Sequence, residues 1–107
     1  CLDIPMAVLI NGNTYSAAEF FAAALSEYDW AVTVGQPTTG KGYYQTTIQL
    51  GDGSAVQLST GAYTTPNGVN LTEVGGLTPD VPAATADTYV TVEADPQIQA
   101  AIQALTE

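Results

Sequence analysis

Residues 6–10, Met-Ala-Val-Leu-Ile, form a short unbroken apolar run, the pattern of a β-strand buried on both faces, and Asn11-Gly12-Asn13-Thr14 closes it with turn formers. The pattern then changes period. Over residues 16–28, Ala17, Phe21, Ala24, Leu25 and Tyr28 recur near every 3.6 residues, which predicts a helix with one apolar face. Residues 31–34 predict a second short buried strand, so the first third of the chain reads as a strand-helix-strand unit with a parallel pair. Residues 35–42 are rich in Gly and Thr and predict a loop. Residues 43–50 and 54–63 alternate and are β-branched or aromatic, with the turn Gly51-Asp52-Gly53 between them, which predicts a β-hairpin. Pro66-Asn67-Gly68 predicts a further turn, and residues 75–80 hold too many breakers for regular structure. Asp95-Pro96 is an N-cap and N1 pair, and Ile98, Ala101, Ile102 and Leu105 form the apolar stripe of a C-terminal helix. The expectation is a single α/β domain over residues 1–107, without internal repeat or linker.

Composition narrows the chemistry. The 107 residues carry 11 Asp+Glu against one Lys+Arg and no His, a net charge of -10. No cluster of cations exists to displace counterions from phosphates, so nucleic-acid binding is excluded. The lack of His excludes imidazole metal sites and His-based catalytic groups, and Cys1 as the sole cysteine excludes a thiolate cluster; no metal or cofactor is expected. A hydrophobic fraction of 46% with 11% charged residues belongs to a chain with a core. No apolar run approaches the roughly 18 to 20 residues of a membrane span. The start, with no initiator Met and no leader, reads as a segment of a longer protein. Cys1 reads as a small apolar residue, since a lipid-bearing cysteine would precede a flexible tether.

Ser16 falls at the junction of the first strand and helix, where unpaired N–H groups face any negative charge that forms beside them. A serine there can attack a carbonyl while a backbone N–H, that of Ala17, stabilises the oxyanion. From these residues alone, Ser16-Ala17-Ala18-Glu19 reads first as a capping box, with Ser16 bonding the N3 amide and Glu19 reaching back. Lys41, the sole cation, lies between Gly40 and Gly42. Without His, a lysine is the remaining common base for a serine, and the glycine flanks suit unusual dihedrals and close approach of a substrate strand. As a base it needs burial, because its pKa must fall by about 3 units from ~10.4; the bland reading is a solvated loop lysine. Even spacing along an extended segment would place Lys41, Tyr43 and Gln45 on one face, where the Gln45 amide could hold the amine; the bland reading is a polar residue on a half-exposed strand. Glu27, Asp29, Asp52 and Asp80 are assigned solvation and turn roles. Asn70-Leu71-Thr72 matches a glycosylation acceptor, meaningful only in a eukaryotic secretory setting.

Taken in order, Asn11-Gly12-Asn13-Thr14-Tyr15-Ser16-Ala17-Ala18-Glu19, Gly40-Lys41-Gly42 with Gln45, Gly51-Asp52-Gly53-Ser54, Tyr63-Thr64-Thr65-Pro66-Asn67-Gly68 and Gly76-Leu77-Thr78-Pro79-Asp80-Val81 resemble the carboxyl-terminal processing peptidases, or tail-specific proteases. Asp95-Pro96-Gln97 opening the last helix also fits. The resemblance implies a Clp protease/crotonase-like α/β core and a Ser-Lys dyad peptidase, with Ser16 as nucleophile, Lys41 as general base, Gln45 positioning the lysine and Ala17 N–H in the oxyanion site. It implies cleavage of protein or peptide substrates near their C-termini, no direct membrane insertion by this segment, a homo-oligomer as one assembly open to it, and a location outside the cytoplasm (periplasm, cell envelope or secreted). Tyr15 departs from the small residue common before the nucleophile and would narrow the cleft; Ala18 replaces a frequent serine. The family's upstream strands, its glycine-rich turn with the second oxyanion N–H, and its PDZ domain have no counterpart here. The segment is therefore expected to hold the dyad and to be inactive alone. Two other readings stand beside it: a non-catalytic peptide-binding or scaffolding relative, and a structural fragment without a site.

Overall fold

The computed structural model describes residues 3–86, 88 and 90–106, so Cys1 lies outside the described residues. Three short strands form a parallel sheet in the order β1-β2-β5, comprising β1 (Ala7–Ile10), β2 (Val32–Gly35) and β5 (Val81–Pro82). Helix α1 (Ala17–Glu27) connects β1 to β2, whose register pairs Ala7 with Val32 and Ile10 with Gly35. Strands β3 (Tyr43–Gln49) and β4 (Ala55–Ala62) form a separate antiparallel hairpin. A 3-10 turn (Val92–Ala94) precedes helix α2 (Pro96–Thr106), which packs on β1 and β2. The mixed α/β architecture expected from the pattern is the one observed, with each anticipated element in place to within a residue or two. The two-residue strand β5 was not anticipated, because it follows a breaker-rich stretch and is too short to show a period.

Local chemistry explains the helix ends. Helix α1 stops in a Schellman arrangement: Trp30 N–H reaches Leu25 O at 2.9 Å and Asp29 N–H reaches Ser26 O at 3.1 Å, with Asp29 in the left-handed region at φ 58°. Asp95 opens α2, its carboxylate accepting from Gln97 N–H at 2.9 Å. Gln97 is itself buried and donates to Ile10 O at 3.3 Å, holding the helix to the end of β1.

The packed faces differ from the periodic ones. In α1 the buried residues are Glu19, Ala22 and Ala23, while Phe21 and Tyr28, expected on the inner face, are 67% and 65% exposed. Alanine lets the helix backbone approach the sheet closely, so the small-residue stripe faces inward and the aromatic one outward. β1 is not buried on both faces either: it pairs with β2 alone, and Leu9 is exposed. In the hairpin, Ile48 pairs with Val56 beside Leu58, making one apolar face that is exposed throughout. The buried apolar core is thus small: Ile10, Ala22, Ala23, Val34, Leu71 and Ala101. The radius of gyration is 16.8 Å, against about 13 Å for a self-contained domain of this length. The accessible surface is 6966 Å², against about 5,600 Å² for a self-contained domain of this mass. Among the described residues the base of the hairpin is anchored through Phe20 of α1, whose ring lies tilted 48° at 4.5 Å from that of Tyr63, which meets Tyr44 at 5.2 Å.

Candidate active site

Ser16 is the N-cap of α1, and its backbone is in the left-handed half of dihedral space at φ 57°, ψ -124°. A side chain there costs of the order of 1–3 kcal/mol, a strain that surrounding contacts must hold in place. It makes a sharp strand-to-helix elbow that pushes a side chain outward beside the first N–H groups of the helix, the geometry that suits a nucleophile. Among the described residues, the N–H groups of Ala17 and Ala18 donate to no acceptor, whereas Glu19 N–H and Phe20 N–H already reach Ser16 O. The capping box is lopsided. Ser16 N–H donates to Glu19 Oε2 at 2.8 Å, while Glu19 N–H, which faces the Ser16 hydroxyl across the box, makes its hydrogen bond to Ser16 O at 3.0 Å, so Oγ carries no cap hydrogen bond.

The lysine loop is brought to this elbow by backbone contacts. Thr39 N–H donates to Thr14 O at 3.0 Å and its hydroxyl to Gly12 O at 2.7 Å, zipping residues 12–14 to 39. Glu19 then accepts from Lys41 N–H at 2.9 Å on the same Oε2 that holds Ser16, and from Gly40 N–H at 2.7 Å and the Thr38 hydroxyl at 2.5 Å on Oε1. The Lys41 side chain is exposed, and its ammonium sits 5.6 Å above the Tyr15 ring centroid. Burial of the amine, which a base role demands, is not supplied by this chain.

Of the two jobs expected of the flanking glycines, the unusual dihedral is seen at Gly40, and the close approach is made by the chain itself. Gly40 takes φ 87°, and a Cβ on it would meet Gly76 N at 2.9 Å; a Cβ on Gly42 would meet Thr72 Oγ1 at 2.8 Å. The space beside them is filled by residues 70–76 and is not open to a substrate strand. Gln45 lies in β3, two residues after Tyr43; the register slips between Tyr44 and Gln45 with Thr60 of β4 as the extra residue, and the Gln45 amide donates to Ser59 Oγ at 3.2 Å. A slip of this kind is invisible to period-two counting.

Two of the acids have tertiary roles beyond the expected solvation and turns. Glu27 accepts from the Thr65 hydroxyl at 2.6 Å and Asn67 N–H at 2.9 Å, and Asp80 bonds both N–H and hydroxyl of Thr33 at 3.1 Å. Asp52 behaves as expected, accepting from Ser54 in the hairpin turn, and those hydrogen bonds hold its carboxyl below its ordinary pKa. Glu19 was legible only as half of a cap; its reach to the lysine loop spans a separation that local patterns do not carry. Among the described residues no three His, Cys, Asp or Glu side chains are grouped to hold a metal, and no helix is long and apolar enough to cross a membrane. A hollow of 450 Å³ lined by Pro5, Met6, Ser26, Trp30 and Leu105 lies at the other end of α1, and neither Ser16 nor Lys41 lines it.

Comparison with known proteins places this geometry in context. Residues 2–83 match the model of peptidase family S41. The chain is 43% identical over 77 residues to a carboxy-terminal-processing protease of Bartonella bacilliformis, covering 72% of this chain and 18% of that protein. It is 35% identical over 106 residues to a carboxyl-terminal-processing protease of Synechocystis, covering 97% of this chain and 25% of that one. Its structure resembles that of a photosystem II D1 C-terminal processing protease, with TM-score 0.67 and 35% identity, over 87% of this chain and 24% of the other. The chain therefore spans a quarter or less of the length of these relatives.

Proposed function

The chain belongs to peptidase family S41, and from that premise we propose that it is the dyad-bearing part of a serine endopeptidase that cleaves proteins near their C-termini. The observation that carries the reading is the seating of Ser16 on a strained elbow with its hydroxyl uncommitted, beside a loop that delivers the sole lysine. Lys41, as the neutral amine, takes the proton of Ser16 Oγ as the oxygen attacks a peptide carbonyl. Ala17 N–H donates to the oxyanion. The lysine then returns the proton to the leaving amine, and water, activated by the same amine, releases the acyl group from Ser16. Gln45, whose amide rests on Ser59 Oγ here, positions the lysine in the assembled core.

Residues 1–107 form one unit of a longer catalytic core, and alone they are inactive. The exposed amine of Lys41, the uncovered hairpin and the excess surface support this. An upstream core supplies burial for the amine and a second oxyanion donor, and a PDZ domain captures substrate tails. The partners are protein or peptide C-termini. The site of action is outside the cytoplasm, consistent with the chloroplast and bacterial processing proteases among its relatives. The test is a tail-peptide assay of the chain with and without the upstream core of the Synechocystis relative. Cleavage is expected only in the mixture, abolished by Ser16→Ala and by Lys41→Ala. Cleavage that survives Ser16→Ala overturns the dyad, and cleavage by the chain alone overturns its dependence on the upstream half.

One observation favours a second reading. The Lys41 ammonium resting on Tyr15, directly before the nucleophile, suits a non-catalytic peptide-binding relative in which the cleft is blocked. A fluorophosphonate probe separates the two in the same mixture, labelling Ser16 only in the enzyme.

A further inference from the structure

The dyad does not account for Glu19. This carboxylate has no solvent exposure, although it stands in the first turn of a helix where a capping glutamate would be free to reach water. Its four donors fill the acceptor capacity of a carboxylate, and three of them lie on the lysine loop, not on its own helix. The Thr38 hydroxyl accepts from Leu77 N–H at 2.7 Å, which directs its own proton at Glu19. An apolar residue would pack the same two segments together without burying a charge. What it could not do is orient peptide groups. One oxygen of Glu19 receives the amide of Ser16 and the amide of Lys41, so the peptide planes entering both residues are set by a single atom. With Ser16 N–H so engaged, the positive φ of Ser16 is held and Ala17 N–H is left to face the oxyanion.

We propose that Glu19 is a positioning residue for the peptidase reaction, a buried clamp that locks the nucleophile segment to the base segment through shared hydrogen bonds to their amides. The inference rests on the reading of Ser16 and Lys41 as the dyad. Its test needs no activity. In the 107-residue chain labelled with ¹⁵N-lysine and ¹⁵N-serine, the sole lysine has one backbone amide signal, and Ser16 is identified by its absence in Ser16→Ala. At neutral pH, Glu19→Ala is expected to accelerate hydrogen exchange of the Ser16, Gly40 and Lys41 amides together by about 10- to 100-fold, the loss of bonds to a charged acceptor. Glu27→Ala, which removes the other carboxylate that ties α1 to a loop, leaves those three amides unchanged. Glu19→Gln, with one carbonyl oxygen, restores protection of the Ser16 and Lys41 amides together when that oxygen takes the Oε2 place, or of the Gly40 amide alone when it takes the Oε1 place, and never of all three, a pattern that general packing would not produce.

Amides still protected in folded Glu19→Ala, or all three protected in Glu19→Gln, overturn the clamp. If Glu19→Ala does not fold, the exchange pattern of Glu19→Gln decides alone. Failure here removes Glu19 and leaves the dyad to the peptide assay; cleavage that survives Ser16→Ala removes the dyad and leaves Glu19 as a structural tie between the two segments, without a part in the reaction.

Discussion

At the scale of single residues, polar side chains in this chain hold backbone amides in place. Glu19 does so at the elbow, Glu27 at Thr65 and Asn67, Asp80 at Thr33 and Asp52 at Ser54. Each is a carboxylate taking N–H donors, which suits a chain with 11 acids and one cation, where ion pairs are scarce by composition. Asp52 shows the pH consequence. Its carboxyl is held below the ordinary value first by the Ser54 hydroxyl and then by the Ser54 amide. A depressed folded pKa means that the turn gains stability above the ordinary aspartate value and loses it as pH falls through the lower, folded one. The Ser54 amide signal should therefore titrate with a midpoint below that of an unstructured aspartate peptide, and Asp52→Asn should abolish the step. A midpoint at the peptide value would show that the hydrogen bonds do not persist in solution. At this scale the sequence was readable where partners are two or three residues apart, as in Asp52–Ser54. It was not readable where they are about twenty or forty apart, as in Glu19–Lys41 and Glu27–Asn67, since nothing local marks a long-range acceptor.

At the scale of elements, existence and order follow from period, while orientation does not. The strand-helix-strand unit, the hairpin and the last helix all stand where the pattern puts them. Yet α1 turns its alanines to the sheet and Phe21 to solvent, because two faces of the helix carry apolar residues and only the smaller one permits close approach. That choice is testable by substitution. Ala23 is fully buried; Ala23→Leu should lower stability in urea unfolding by about 1–3 kcal/mol through overpacking. Phe21→Ala, at an exposed position, should stay within about 0.5 kcal/mol. The reverse ranking would restore the periodic face as the inner one. The bulge at Tyr44–Gln45 is likewise a matter of pairing, since two strands with unequal spacing between shared anchors must slip by one residue.

At the scale of the whole molecule, the dominant fact is uncovered apolar surface. The alternation in residues 43–50 and 54–63 correctly announces a two-faced hairpin, with Ile48, Val56 and Leu58 on one side, but among the described residues nothing lies over that side. An apolar face of this kind is a template for association. In sedimentation velocity the isolated chain should self-associate with rising concentration, and Leu58→Lys should shift it towards monomer. A chain that stays monomeric and binds no hydrophobic dye would show that the hairpin needs no cover. Composition, periodicity and turn chemistry by themselves determined the class of the fold, the order of its elements and the absence of His-based chemistry, while the family resemblance of the motifs singled out Ser16 and Lys41 as the nucleophile and base to test. These are properties of local spacing and of residue type. Only the tertiary structure decided which helix face is inner, that Glu19 joins the elbow to the lysine loop, that Gly40 and Gly42 are filled against residues 70–76, and that Lys41 stays exposed. Those outcomes depend on which distant segments meet, and the energy that selects among such meetings comes from close packing and amide hydrogen bonds that a linear pattern does not encode.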